Sequence, residues 1–396
     1  AIVDCVEAAV KMPFDDGLRY ERERFMELLQ GEQSAALRHF FFAERQAPKV
    51  DDLAKDVPTR EVASVGVIGG GTMGGGIAMS FANAGIPVTL IEIDDEALER
   101  GLSIVRRNYE GSVQRGKLSE AAAAANLARI AASTDYASLA SVDLVIEAVF
   151  ENPDLKKDIF RKLDAVCKPG AILATNTSYQ DVNAIAAATS RPEDVIGLHF
   201  FSPAHIMKLL EIVRADKTSD DVLATCLQVA KRIRKVPVVA RVCYGFIGNR
   251  MLQPYAAQVQ RLLLEGATPQ QGDAAMEDFG MAMGPLRVYD LAGLDIGYRA
   301  RQALSDEEKG EPATYLVSDR LVEAGRLGQK SGAGFYTYDE NRRPAPDPAV
   351  QAIIEETAVE LGVERRDIKN DEIVSRLAVS YTHLTLPTNI IRWSWG

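Results

Sequence analysis

Residues 65–78 read VGVIGGGTMGGGIA, and three of their glycines, Gly69, Gly71 and Gly74, stand in the spacing G-x-G-x-x-G. A short apolar run precedes them and a helix-forming run follows, so the glycines occupy a turn between a strand and a helix. In such a turn the first glycine permits the tight bend, the second lets backbone approach a pyrophosphate, and the third allows close contact between helix and strand. The unpaired N–H groups and dipole at the helix N-terminus then face the phosphates. The next strand pattern, Val88–Ile91, ends at Glu92, an acidic residue placed to hydrogen-bond a ribose hydroxyl. Asp94 and Asp95 follow it, so a cofactor carrying a 2′-phosphate meets three carboxylates, and NAD is preferred over NADP. Asp94 and Asp95 suit the N-terminus of the next helix equally well, through its dipole.

Outward from this turn, residues 62–91 carry no charged residue, a run as long as a membrane span. Eight glycines and Pro87 break it up, so strand, turn, helix and strand fit it better. Further strand patterns lie at Ser64–Ile68, Leu144–Ile146, Ala171–Thr175, Val195–Leu198, Leu209–Val213 and Val236–Val239. Amphipathic segments at Glu96–Arg115, Pro153–Val166 and Asp220–Ile233 separate many of them. Alternation of this kind predicts an α/β fold, a Rossmann-type doubly wound, mostly parallel sheet. From about Tyr244 the strand signal fades, and Ile247–Leu264, Thr268–Phe279 and Asp290–Leu304 predict an all-α C-terminal domain. Residues 347–377 begin further helices whose apolar faces have no evident partner in the sequence. Ahead of the sheet, Asp15–Gln46 reads as helix with a break at Gly31, and the run Phe40, Phe41, Phe42 predicts a segment wedged between other elements. Ala47–Arg60 reads as a linker.

The chain has 396 residues, which at roughly 150 per domain predicts two to three domains. With 47% hydrophobic and 26% charged residues it is globular. Its net charge of −11 and lack of a basic stretch argue against nucleic-acid binding. Cys5, Cys167, Cys226 and Cys243 are far apart with no CxxC pair, which argues against a disulfide framework or a structural zinc and predicts ordinary buried thiols.

Histidine is scarce, and of His39, His199, His205 and His383 only His199 falls at the C-terminal end of a predicted sheet strand, where open α/β sheets place ligands. A hydride-transfer enzyme needs a group to move the alcohol proton, and neutral imidazole suits that task. Glu211, on the next strand, is placed to meet the ring if the chain returns as a hairpin, fixing its tautomer and stabilising the imidazolium. Ser178 follows another strand and either bonds a substrate oxygen or caps a helix. Asn249 enters from the helical domain as a site residue or an interdomain contact.

These residues lie in strings that together carry a resemblance: VIGGGTMGGGIA (67–78), VIEAVFENPDLKKDIF (145–160), ATNTSY (174–179), GLHFFSPAHIMKLLEIV (197–213), GFIGNRML (245–252), MGPLRVYDLAGLDIG (283–297) and GRLGQKSGAGFY (325–336). The chain resembles the 3-hydroxyacyl-CoA dehydrogenase family, and within it the dehydrogenase half of bifunctional enoyl-CoA hydratase/3-hydroxyacyl-CoA dehydrogenases of peroxisomal and related bacterial type. The resemblance implies NAD-dependent oxidation of L-3-hydroxyacyl-CoA in fatty-acid β-oxidation, with His199 as base, Glu211 as its partner, and Ser178 and Asn249 holding the substrate oxygen. For NAD it implies Gly69, Gly71, Met73, Gly74, Glu92, Val149, Phe150, Glu151, Lys156, Ser178 and Ser202, and more weakly Lys330. Glu92 stands where many relatives have Asp, and Ser202 where many have Asn. An anionic CoA thioester needs local basic residues, for which Arg106, Arg107, Arg115 and Lys117 are candidates, although they equally make a solvated helix face.

The implied organisation is a remnant of a hydratase half with connecting helix and linker (1–60), an NAD-binding Rossmann domain (61–240), an all-α dehydrogenase domain (241–340), the start of a second, truncated helical repeat (341–377) and a non-native, disordered tail (378–396). Hydratase activity is not expected. The expected partner is an acyl-CoA thioester, with no nucleic acid and no membrane span, and with homo-oligomerisation or association through exposed helical-domain surface open. The expected compartment is the cytoplasm for a bacterial source and the peroxisome for a eukaryotic one. Three alternatives stand beside this reading: a free β-hydroxyacid dehydrogenase, a non-catalytic NAD-binding protein and an inactive truncated fragment.

Overall fold

In the computed structural model of the protein, residues 1–302 and 304–382 are described, except for the side chains of 300, 308 and 379–382. The chain divides into two compact units, Ala1–Val242 and the residues from Cys243 onward.

In the first unit eight strands form one sheet: β1 (Val65–Ile68), β2 (Val88–Ile91), β3 (Ile130–Ser133), β4 (Leu144–Glu147), β5 (Ile172–Thr175), β6 (Val195–Phe200), β7 (Leu209–Arg214) and β8 (Val236–Arg241). Their order is β3-β2-β1-β4-β5-β6-β7-β8. The first six run parallel, β7 returns antiparallel to β6, and β8 is parallel to β7. This is the Rossmann-type order, extended by two strands. Strands β1, β4 and β5 are buried along their whole length, as a sheet covered on both faces requires. Strand β3 has no counterpart among the predicted strands. It is an edge strand with only Ile130 buried, and its sequence IAAS carries a single large apolar side chain.

Helices α1 (Ile2–Lys11), α2 (Phe14–Gln30) and α3 (Glu32–Gln46) precede the sheet, and α4 (Thr72–Asn83), α5 (Asp95–Gln114), α6 (Glu120–Leu127), α7 (Pro153–Val166), α8 (Val182–Ala186) and α9 (Asp220–Arg232) are interleaved with it. The chain breaks at Gly31 between α2 and α3. The expected wedging of the phenylalanine run is not found: Phe40, Phe41 and Phe42 are 65%, 45% and 65% exposed, and α3 buries no residue. No described element covers them. Phe41 instead meets Phe42 edge-on at 5.4 Å and carries the Arg45 guanidinium 3.7 Å from its ring centre. Of the four cysteines, Cys167 and Cys226 are buried, whereas Cys5 and Cys243 are only partly so.

The second unit is helical: α10 (Gly248–Glu265), α11 (Pro269–Phe279), α12 (Pro285–Ala292), α13 (Leu294–Gln302), α14 (Asp306–Lys309), α15 (Leu316–Glu323), α16 (Pro348–Glu360) and α17 (Asn370–Thr382), with a small hairpin of β9 (Thr337–Tyr338) and β10 (Pro344–Ala345). The single helix expected over Asp290–Leu304 is interrupted at Gly293, whose φ of +101° a side chain rarely adopts. The helices after residue 347 do have a partner. Val350, Ile354, Ile373 and Leu377 share one buried core with Tyr255, Leu262, Leu263 and Leu321, and α17 packs on α10 and α11 while α16 packs on α15. Their amphipathic pattern signalled burial, but the covering helices lie in earlier stretches of chain, α10 and α11 about a hundred residues before α17, beyond the reach of local periodicity. Of the expected tail, residues 378–382 continue α17, and residues 383–396, with His383, Trp393 and Trp395, lie outside the described residues. Among the described residues no helix is long and apolar enough to cross a membrane.

Candidate active site

The glycine turn has three distinct geometries. Gly69 has φ +95°, and a Cβ there would meet the Ala148 carbonyl oxygen at 2.7 Å. A Cβ on Gly71 would meet nothing within 4 Å, so open space faces the N-terminus of α4, where Gly71 is the N-cap and no side chain caps the helix. At Gly74 a Cβ would lie 1.7 Å from the Gly69 oxygen, so the helix packs directly on the turn. A fourth glycine does similar work: a Cβ on Gly101 of α5 would meet the Gly70 oxygen at 2.7 Å. Unpaired helix N–H groups beside open space are the donor set a pyrophosphate needs, so these residues fit a dinucleotide. Met73, in the first turn of α4, packs on the sheet core.

Glu92, just past β2, accepts from the Gly70 N–H at 2.6 Å and from the Ile93 N–H at 3.0 Å, which holds its carboxylate at the turn. Asp94 caps α5, accepting from Ala97 N–H at 2.7 Å, and Asp95 lies in the first turn. For Asp94 the helix-cap role is the observed one. Arg106 pairs with Glu99 at 2.6 Å, while Arg107, Arg115 and Lys117 lie on exposed surface.

Across the sheet, His199 and Glu211 are direct partners in the antiparallel register of β6 and β7. Cross-strand partners project to the same face. The ring Nδ1 lies 2.6 Å from Glu211 Oε2, and Nε2 lies 3.1 Å from Ser178 Oγ. His199 is 4% exposed and Glu211 fully buried. A carboxylate only accepts, so Nδ1 carries the proton, and Nε2 of the neutral ring accepts from the serine hydroxyl. The Phe201 ring stands 4.6 Å from the imidazole.

Ser178 is held by a network that the sequence did not disclose. Its N–H donates to Glu151 Oε1 at 2.6 Å, and Thr177 Oγ1 donates to both oxygens of Glu151 at 3.0 Å. Lys156, 1% exposed, lies 2.7 Å from the buried Glu147 and 3.4 Å from Glu151. Glu147 also accepts from Val149 N–H and Thr175 Oγ1. Asn176 Oδ1 accepts from Phe200 N–H at 2.8 Å, tying the loop that carries Ser178 to the strand that carries His199. Lys156, expected at the cofactor, is thus committed to two carboxylates and reaches the site through Glu151. Of the neighbouring positions, Val149 lines the Gly69 turn, whereas Phe150 is 85% exposed and Ser202 is also exposed. Asn249 and Lys330 belong to the second unit: Asn249 lies in the first turn of α10, and Lys330 pairs with Asp295.

Residues 64–243 match the family described as 3-hydroxyacyl-CoA dehydrogenase, NAD binding domain, and residues 245–338 match 3-hydroxyacyl-CoA dehydrogenase, C-terminal domain. The peroxisomal bifunctional enzyme of Cavia porcellus is 44% identical over 94% of this chain and 54% of its own length. The chain therefore spans about half the length of the curated relatives it matches. Among solved structures, 3-hydroxybutyryl-CoA dehydrogenase from Escherichia coli superposes with a TM-score of 0.65 at 39% identity, covering 72% of this chain and 61% of that one. The dehydrogenase part of multifunctional enzyme 1 from C. elegans superposes with a TM-score of 0.64 at 30% identity, covering 85% of this chain and 78% of that one. With both domain matches in order behind the glycine turn and the paired strands, the chain belongs to the 3-hydroxyacyl-CoA dehydrogenase family.

Proposed function

We propose that this chain catalyses the NAD-dependent oxidation of an L-3-hydroxyacyl-CoA to the 3-ketoacyl-CoA, as the dehydrogenase part of a fatty-acid β-oxidation enzyme. The observation that carries the reading is the buried imidazole of His199 between Glu211 and the Ser178 hydroxyl, at the sheet edge where a doubly wound fold binds its ligands. NAD, when bound, supplies the acceptor for the hydride that leaves C3. His199 Nε2 takes the proton of the C3 hydroxyl, and Glu211 holds the Nδ1 proton and stabilises the imidazolium without taking up the proton itself. Ser178 donates to the substrate oxygen. The backbone of the Gly69–Gly74 turn and the N-terminus of α4 hold the pyrophosphate, Glu92 holds the ribose, and Val149, Phe150, Glu151 and Ser202 line the rest of the cofactor's path. Lys156 belongs to this set as the cation that fixes Glu151.

On this reading residues 61–240 are the cofactor domain and 241–340 the dehydrogenase domain, while 1–60 correspond to the end of a hydratase half with its connecting helix and linker. Its compartment is the cytoplasm in a bacterial source and the peroxisome in a eukaryotic one, as the peroxisomal relatives suggest.

The test is NADH formation from 3-hydroxybutyryl-CoA and from free 3-hydroxybutyrate, each with NAD and with NADP. The proposal expects the thioester with NAD to react fastest, with the free acid slower by about a hundredfold or more, because binding energy from the distant CoA is used at the reacting carbon. Equal rates with both substrates count against it and favour a free β-hydroxyacid dehydrogenase.

A further inference from the structure

The hairpin that brings His199 to Glu211 is closed by residues 201–208, and groups outside the hairpin grip this stretch from two sides. Lys235, in the turn entering β8, is 8% exposed and makes no ion pair among the described residues. Its ammonium donates to two backbone carbonyls of the loop, Ala204 at 2.5 Å and Met207 at 2.6 Å. The Ala204 carbonyl also accepts, at 3.3 Å, the longer arm of a hydrogen bond that Ser80 Oγ of α4 shares with the Gly76 carbonyl at 3.0 Å. The same helix presents Gly76 to the loop so closely that a Cβ there would lie 3.1 Å from Ala204 Cβ and 3.2 Å from its nitrogen. Lys235 is anchored in turn, its N–H donating to the Ala230 carbonyl at 2.8 Å.

A buried lysine without a carboxylate is costly, and here burial pushes the ammonium down to about 8. An apolar side chain would avoid that cost and leave two loop carbonyls without this donor. What the lysine secures is position. The loop it grips leads directly from the His199 strand to the Glu211 strand and rests on the helix that begins at the glycine turn. We propose that Lys235, assisted by Ser80, is a positioning residue: it locks residues 201–208 against α4 and so fixes the His199–Glu211 pair relative to the dinucleotide turn. The kinetic part rests on the dehydrogenase reading, and the structural part does not.

The experiment uses the full chain with Lys235→Met, Lys235→Arg and Ser80→Ala. Amide hydrogen exchange over residues 201–208 is compared with that of β1 and β4, alongside NADH binding by fluorescence and steady-state kinetics with 3-hydroxybutyryl-CoA. Lys235→Met should speed exchange in 201–208 by about tenfold or more while β1 and β4 stay protected. It should lower kcat by about 10- to 100-fold, with KM changed less than about threefold, because a misplaced base impairs the reacting geometry more than ground-state binding. Lys235→Arg, which keeps the donors, should recover part of both losses, and Ser80→Ala should move both in the same direction by about two- to fivefold. Native kcat in Lys235→Met, or faster exchange spread evenly over the sheet, overturns the proposal. Should Lys235→Met fail to fold, Ser80→Ala decides alone, and native loop exchange with native kcat overturns it. An inactive native enzyme would count against the dehydrogenase reading while the exchange comparison still tests the clamp.

Discussion

Glu147, at the end of β4, and Glu211, on β7, are both fully buried at the ligand-binding edge of the sheet, yet their surroundings fit them for different work. Glu147 faces a lysine ammonium: Lys156 Nζ and Val149 N–H share one oxygen and Thr175 Oγ1 takes the other. Glu211 faces an imidazole, the side-chain type suited to taking up and releasing a proton. Burial of a carboxylate therefore does not mark a reactive site by itself. The partner decides: a fixed cation makes a scaffold, and a titratable ring that also reaches a serine hydroxyl makes a candidate base.

Substitutions at the two edges can break this contrast. His199→Ala should lower kcat/KM by about 10²- to 10⁴-fold, the range for loss of a general base, with NADH binding retained in a fluorescence titration. Glu147→Gln should act on stability instead. It removes the main counter-charge of a buried lysine, at a cost of about 3–5 kcal/mol in urea unfolding. Turnover per folded molecule should fall less than about tenfold, since the remaining pairing with Glu151 still holds Ser178. If Glu147→Gln instead leaves stability intact and removes activity, the division into scaffold and base is wrong.

Glu92 is a third carboxylate at this edge, facing the turn and not a cation. Glu92→Gln should narrow the preference for NAD over NADP by about tenfold, because the negative charge that repels a 2′-phosphate is lost. Ratios of kcat/KM for the two cofactors measure this, and an unchanged ratio removes Glu92 from the specificity argument.

Asp273, in the helical unit, extends the comparison to a buried carboxylate that pairs with no cation among the described residues. Burial pushes it up to about 6, against the hydrogen bonds it accepts from Tyr336 and from the N–H groups of Leu286 and Arg287. Its folded value lies above the unfolded value of about 3.9, so the folded state holds the proton more tightly. That contribution to stability is full below about pH 4 and is lost as pH rises through about 6. Asp273→Asn should flatten the dependence of the urea midpoint on pH across this window, and an unaltered slope counts against the assignment.

The sequence disclosed the parts of the site whose signals are local. The strand, glycine turn and helix lie within one contiguous stretch, and His199 and Glu211 are 12 residues apart on two apolar runs that a tight return brings together. The support for Ser178 was not legible in this way. Glu147 and Lys156 are nine residues apart across the turn between β4 and α7, with no periodicity linking them. Lys235 bonds a loop 28 to 31 residues away, through backbone carbonyls that carry no residue identity. The phenylalanine run failed as a guide for a related reason: apolar residues on a helix indicate a face that can be covered, and the cover need not lie in the same stretch of chain. The helices after residue 347 show the converse, with a partner distant in sequence and close in space.

The central claim is that Glu211 acts through His199, and kcat/KM for 3-hydroxybutyryl-CoA across the cycle of native protein, His199→Ala, Glu211→Ala and the double variant tests it most directly. Residues that act as one unit are strongly non-additive. Glu211→Ala should slow the native enzyme by about a hundredfold and slow the His199→Ala variant by less than about threefold, with NADH binding retained in all four. The same slowing in both backgrounds would mean that the two side chains act independently, and would contradict the account.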